Sequence, residues 1–409
     1  MALSLKPLTE QVVVITGASS GIGLVTARMA AEHGVKGLVL AARSDEALQQ
    51  LEREINEAGR TQAVAVSCDV GDESQLRHVA EVAMQRFGQI DTWVNNAGVS
   101  VYGRVTDVSI EDHRRLFETN FWGVVHGSRI AVEHLRGRGG AIINIGSVLS
   151  ERAVPLQGMY VASKHAVKGF TDALRMELEE AGEHISVTLI KPATIDTPYT
   201  DHAESYLGEH PRNPSPYYAP ENVAKTILHA ATHPTRDLFV GSSGKVFRFL
   251  ERYVPRLADR LMEKTLFAAQ RSDRPRSEQV GLHEGAGTLR ERGDDRGWKR
   301  EHSLYTQAEI HPLASRLFVL VGVGVLVAVI VSAVRSSSSQ RSSRSLWGGR
   351  RSGASDWSRR LHDVLPGKPA FTWKRVADRL QSLGNGHSRR GDFTDTLTSA
   401  ASRLRERLW

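Results

Sequence analysis

The chain has 409 residues, 40% of them hydrophobic and 24% charged, enough to bury a sizeable core. Its formal net charge of +7 does not mark the main body as a nucleic-acid binder: residues 335–409 hold 16 Lys/Arg against 6 Asp/Glu, leaving 37 against 40 in 1–334. The single cysteine, Cys68, excludes an intrachain disulfide and suits a reducing compartment.

The N-terminal MALSLKPLTEQVVVITG carries only a short apolar run, Val12–Ile15, before a Gly-rich turn. That is too short for a signal-peptide core, so the catalytic part is expected in the cytoplasm. Short apolar runs then alternate with helical-period stretches. VVVITG precedes a helix over Leu24–His33, GLVLAAR one over Asp45–Ala58, AVAVSCD one over Glu73–Phe87, and DTWVNNAG one over Ile110–Leu135. AIINIGS, a helix from Tyr160 to Glu180 and ISVTLIKP follow. This spacing predicts an α/β fold: a Rossmann-type, doubly wound parallel sheet with helices on both faces. The near-continuous apolar strands fit a sheet covered on both sides. Cys68 reads as a small buried residue at a strand end.

Residues 194–220, rich in proline and tyrosine, read as either a mobile loop over a site or a passive surface loop. From Phe247 to Phe267, the apolar residues Phe247, Leu250, Val254, Leu257, Leu261 and Leu266 recur near helical spacing around Pro255, and core packing is the expected cause. Arg271–Trp298 is Gly- and charge-rich without a period, and reads as a loop or linker. The divisions expected are thus a dinucleotide-binding domain over 8–245, a helical extension and linker over 246–315, a membrane segment over 316–335 and a basic tail over 336–409. Leu317–Val334 holds 18 residues without a charge, close to the length that crosses a bilayer. Arginines crowd its C-terminal flank, so a single span and a shallow hairpin both stay open. The tail mixes Trp373, Leu380, Leu404 and Trp409 with arginines, a composition for anionic lipid or for disorder.

Thr16-Gly17-Ala18-Ser19-Ser20-Gly21-Ile22-Gly23 follows the first strand and opens a helix. Glycines there permit a tight turn and close approach, and free helix N–H groups can receive a pyrophosphate. At the end of the second strand, where an acidic residue would bind the ribose of NAD, Arg43 stands beside Ser44. Its guanidinium suits the 2′-phosphate of NADP(H). Asp69 and Val70 are placed against the adenine, and Asn96, Ala97 and Gly98 against the cofactor. No metal site is expected.

Tyr160 and Lys164 stand at i and i+4, on one face of a helix. A neighbouring ammonium favours the phenolate, which predicts a lowered Tyr160 pKa. Ser147 ends a strand thirteen residues earlier and is expected to bond the substrate oxygen.

Together these motifs resemble the short-chain dehydrogenase/reductase family in its roughly 250-residue form, over about residues 8–245. TGxxxGxG, NNAG, Ser147 and the YxxxK of Tyr160–Lys164 occur in the family's order. The resemblance implies that Asn120 supports the lysine through a water-linked relay and that Arg43 marks the NADP-preferring branch. It also implies cofactor contacts from Tyr160, Lys164, Ile195 and Thr197, and a homodimer or homotetramer. One position departs: the usual Pro-Gly after the sixth strand is Pro192-Ala193 here, placing a methyl near the nicotinamide. The expected activity is hydride transfer between NADPH and a carbonyl or secondary alcohol, with the membrane segment and the apolar stripe at Phe247–Phe267 suggesting a lipophilic substrate. Two alternatives are a membrane-tethered NADPH-binding scaffold or sensor without turnover, and an NAD-dependent dehydrogenase.

Overall fold

The structure is a computed structural model that describes residues 3–277, 280–294 and 297–310. Seven strands form one parallel sheet: β1 (Val12–Thr16), β2 (Gly37–Ala42), β3 (Gln62–Ser67), β4 (Thr92–Asn95), β5 (Gly140–Ile145), β6 (Ile185–Pro192) and β7 (Asp237–Val240). Their order is β3-β2-β1-β4-β5-β6-β7. The order reverses between β1 and β4, where such sheets open a crevice beyond the carboxyl ends of the strands.

Helices cover both faces because both carry apolar side chains. On one face pack α1 (Gly21–Glu32), α2 (Asp45–Ala58) and α7 (Glu221–Ala230), which bring Leu24, Leu48, Leu51 and Ile227 against Ile15, Leu38 and Leu40. On the other, α3 (Glu73–Phe87), α5 (Gly123–Leu135) and α6 (Gly158–Glu180) bring Leu76, Ile130 and Leu178 against Val14, Val39 and Trp93. Both α2 and α3 stop at left-handed glycines, Gly59 and Gly88, whose positive φ closes the last turn.

Several expectations need correction. The helix expected over Ile110–Leu135 is α4 (Ile110–Phe117), then a π-helical turn over Glu118–Trp122, then α5. β7 was not anticipated, since four residues (DLFV) are too few to show a period. The stripe over Phe247–Phe267 does not pack in the core. Pro255 divides it into α8 (Ser243–Tyr253) and α9 (Pro255–Ala269), and takes the first position of α9, where its missing N–H is harmless. Of the stripe, Leu257 and Leu261 lie 66% and 58% exposed, while Phe247, Leu250, Val254 and Leu266 are half-buried.

Residues 194–220 lie over a site, as one of the two readings has it: Thr197 and Tyr199 line the cavities described below. Glu204–Ser205 pairs with Val101–Tyr102, and Tyr217–Tyr218 with Lys299–Arg300, which ties the segment across the carboxyl edge of the sheet. Arg271–Trp298 contains no helix among the described residues, yet it does not run as a loose linker: Leu282 is fully buried. The Leu317–Val334 stretch and the basic tail lie outside the described residues. Among the described residues no helix is long and apolar enough to cross a membrane.

Candidate active site

Close approach of backbone builds the first half of the site. Gly17 has a φ of +68°, and a Cβ on it would come within 2.8 Å of the Ala97 Cα. Gly23 has no side chain because α1 crosses the turn there. A Cβ on it would lie 2.1 Å from the Gly17 carbonyl oxygen and 2.7 Å from the Asn96 Nδ2. Gly23→Ala should therefore distort the turn, at roughly 1–3 kcal/mol, and weaken dinucleotide binding with a fall in Tm. An unchanged Tm and affinity would show that the turn tolerates the methyl.

The Asn96 side chain works on the protein itself, donating to the carbonyls of Thr16 (2.9 Å) and Gly17 (3.2 Å). With Thr16 Oγ1 accepting from the Asn96 and Ala97 amides, it locks the Gly-rich turn to the end of β4. The resulting cavity is lined by Gly17, Ser19, Ser20, Gly21 and Ile22, by Arg43, Ser44, Asp69 and Val70, and by Asn96, Ala97, Gly98 and Thr197. Gly23 supports it from behind. The Cys68 thiol, also in that lining, has its pKa pushed up to about 12 by burial and by Asp69 and Asp72, which disfavours the thiolate.

A second cavity, about 380 Å³, continues from the first and shares Ile22, Asn96, Gly98, Thr197 and Tyr199 with it. Ser147, Tyr160, Lys164 and Ile195 line it. Ser147 caps a 3-10 turn (Val148–Ser150), its Oγ accepting from the Leu149 amide at 3.0 Å. That bond leaves the hydroxyl proton to donate, and it points at the Tyr160 oxygen. Lys164 is buried and donates to the Ile145 carbonyl at 2.9 Å, with Nζ 5.7 Å from the centre of the Tyr160 ring.

Asn120 lies in the π-helical turn, fully buried, and lines neither cavity. Its Oδ1 accepts from the Val99 amide (2.8 Å) and its Nδ2 donates to the Val99 carbonyl (2.9 Å). A Cβ on Gly98 would sit 3.4 Å from Asn120 Oδ1 and 3.9 Å from Lys164 Nζ, so the two side chains approach the same stretch of backbone. Asn120 is thus a positioning residue for the wall beside Lys164.

The electrostatics differ from expectation at Tyr160. Burial pushes its phenol up, against hydrogen bonds from Tyr199 and Ser147 that act the other way. Lys164 is desolvated as well, its pKa held down at about 8. An unfolded lysine titrates near ~10.4. Between those values the unfolded chain binds more protons, so the cost of burying Lys164 is full below pH 8 and fades toward pH 10. The Tm of Lys164→Met relative to the parent should therefore decline as pH rises from 8 to 10. A difference that stays constant across that range would contradict the buried ammonium.

Two parts of the site were not legible beforehand. Tyr199 lines both cavities, and its ring meets that of Tyr160 edge-on at 5.7 Å. It lay hidden in the 194–220 segment, where four tyrosines carry no periodic signal. Gly281, Gly285 and Gly287, from the supposed linker, line the first cavity. Ala193, the departure after the sixth strand, lines the second. A Cβ on Gly241 would come within 2.9 Å of its methyl, and Gly241 holds a φ of +95°.

The short chain dehydrogenase family profile matches residues 11–207. An uncharacterized oxidoreductase of Bacillus subtilis, YxnA, is 49% identical over 318 residues, 76% of this chain and 89% of that protein. An 11-beta-hydroxysteroid dehydrogenase A of Sesamum indicum is 34% identical over 56% of this chain and 68% of its own. Among solved structures, an alcohol dehydrogenase from the archaeon Thermococcus sibiricus, complexed with 5-hydroxy-NADP, superposes with a TM-score of 0.50 at 25% identity. That match covers 56% of this chain and 96% of the other.

Proposed function

The chain belongs to the short chain dehydrogenase family, and from that premise we propose that it is an NADP(H)-dependent oxidoreductase interconverting a lipophilic carbonyl and its alcohol. The observation that carries this reading is the convergence of Tyr160, Lys164 and Ser147 on a cavity continuous with the Gly-rich one. The residues fit a nicotinamide dinucleotide: without side chains, Gly17 and Gly23 let the turn, α1 and the Asn96–Ala97 backbone close up behind the first cavity, and Arg43 lines that cavity as a cation. Ser19–Gly23, Arg43, Ser44, Asp69, Val70, Asn96–Gly98, Lys164, Ile195 and Thr197 would hold it. When bound, it supplies or accepts the hydride.

The remaining chemistry belongs to the chain. In reduction, the Ser147 hydroxyl turns to hydrogen-bond the carbonyl oxygen, keeping its proton, and so polarises the bond. Tyr160, kept protonated by burial, delivers its proton to the same oxygen as charge develops there. Lys164 steadies the phenolate left behind, and Asn120 holds the Val99–Gly98 wall against which Lys164 is placed.

Support for a lipophilic substrate comes from the wall of the second cavity, where Val148, Leu149, Val154, Phe247 and Leu266 face inward. The exposed apolar side chains of α8 and α9, with the uncharged Leu317–Val334 stretch, support a place beside lipid. A panel of steroid, retinoid, fatty-chain and small polar carbonyls, assayed in detergent by NADPH consumption, tests the substrate class. The lipophilic members should be favoured by at least ~10-fold in kcat/KM, the discrimination of one or two buried methylenes. Preference for small polar carbonyls would defeat that class.

A further inference from the structure

Residues 281–291 lie across the dinucleotide cavity, and their backbone occupies the groups that would bind phosphate. Arg43 donates from Nη1 to the Leu282 carbonyl at 3.0 Å and from Nη2 to the Gly281 carbonyl. The Gly21 amide, at the N-terminus of α1, donates to the Arg290 carbonyl at 2.9 Å. The Gly287 amide donates to Ser44 Oγ at 2.8 Å, and the Leu289 amide to the Ser19 carbonyl at 3.1 Å.

Three carbonyl oxygens therefore sit on a guanidinium and a helix N-terminus, the two groups in this site that most favour an anion. Glycine lets the segment press this close. A Cβ on Gly287 would lie 2.2 Å from Ser19 Oγ, and one on Gly285 would lie 2.8 Å from Ser44 Oγ. The segment is anchored at both ends. Leu282 is fully buried among Val99, Val101, Val108 and Leu116, and Glu291 pairs with Arg28 at 2.6 Å.

We propose that residues 281–291 form an intramolecular strap that competes with NADP(H) for Arg43, Ser44 and the Gly21 amide, so that the cofactor binds only after the strap lifts. This rests on the cofactor reading given above. A dinucleotide and the strap cannot both use the same donors, and a charged phosphate oxygen is a stronger acceptor than a peptide carbonyl. The apparent affinity for cofactor is then the intrinsic one reduced by the fraction of molecules with the strap lifted.

Hydrogen exchange on the full chain tests this directly, with NADPH binding followed by fluorescence in the same samples. Saturating NADPH should speed exchange of the Gly287 and Leu289 amides by at least ~10-fold, since both lose their acceptors on Ser44 and Ser19. Glu291→Gln and Leu282→Ser, which loosen the two anchors, should tighten NADPH binding, Leu282→Ser by ~10-fold or more. The mild Glu291→Gln, on the surface, keeps the test valid if Leu282→Ser fails to fold. NADPH binding with slowed or unchanged exchange would overturn the strap alone, since the segment would then close over the cofactor or ignore it. A chain that binds no NADPH would overturn the cofactor reading, and the strap with it.

Discussion

Tyr160→Phe should lower kcat for carbonyl reduction by about 10²- to 10⁴-fold, the contribution of a positioned general acid. Binding of NADPH should stay close to that of the parent. The ring is retained, with its edge-on packing against Tyr199 and its place in the buried wall of the second cavity. Only the hydroxyl is lost, together with its hydrogen bonds to Ser147 and Tyr199. Losing them should cost stability about 1 kcal/mol, so the variant folds and the kinetic effect is chemical. Steady-state rates and a fluorescence titration on the same preparation separate the two. A variant that keeps its rate within a factor of a few would remove Tyr160 from the mechanism.

Arg43→Asp should reverse the preference between NADPH and NADH. A charge-assisted hydrogen bond contributes about 1.5–3 kcal/mol, so its loss alone weakens NADPH by roughly 10- to 100-fold, and the new carboxylate repels the phosphate as well. The same carboxylate can accept from the ribose hydroxyl of NADH. The variant also releases the Gly281 carbonyl and leaves the Leu282 carbonyl to Arg115 alone, which changes both affinities together. The ratio of kcat/KM values for the two cofactors is therefore the measure to take. A ratio that does not move would show that Arg43 does not read the phosphate.

Much of the architecture was readable because local patterns coincide with the tertiary solution. The expected ranges Asp45–Ala58 and Glu73–Phe87 match α2 and α3, each closed by a glycine with positive φ. The Gly-rich turn, Arg43, the NNAG stretch and Tyr160–Lys164 lie along two continuous cavities, because each stands at the carboxyl end of a strand or on the helix that follows. What escaped was set by contacts distant in sequence. The Asn120 amide is held by Val99 through a π-helical turn that no spacing announces. Tyr199 reaches Tyr160 only because 194–220 is tied down by Val101–Tyr102 and Lys299–Arg300. The strap looked like a linker because glycine, which reads as looseness in a sequence, here permits packing nearly as close as at Gly23. The α8–α9 stripe shows the reverse. Its periodicity is helical as expected, but nothing in the pattern tells whether the apolar face is covered.

Deuterium transfer from NADPH labelled at C4 tests the central claim most directly. The full chain is mixed with each C4 epimer and the lipophilic carbonyl panel in single turnover, and the alcohol products are analysed for label. Label should appear on the carbinol carbon from one epimer only, with the transfer lost in Tyr160→Phe. A protein that binds NADPH yet transfers no label to any carbonyl would contradict this account and identify a nucleotide-binding scaffold.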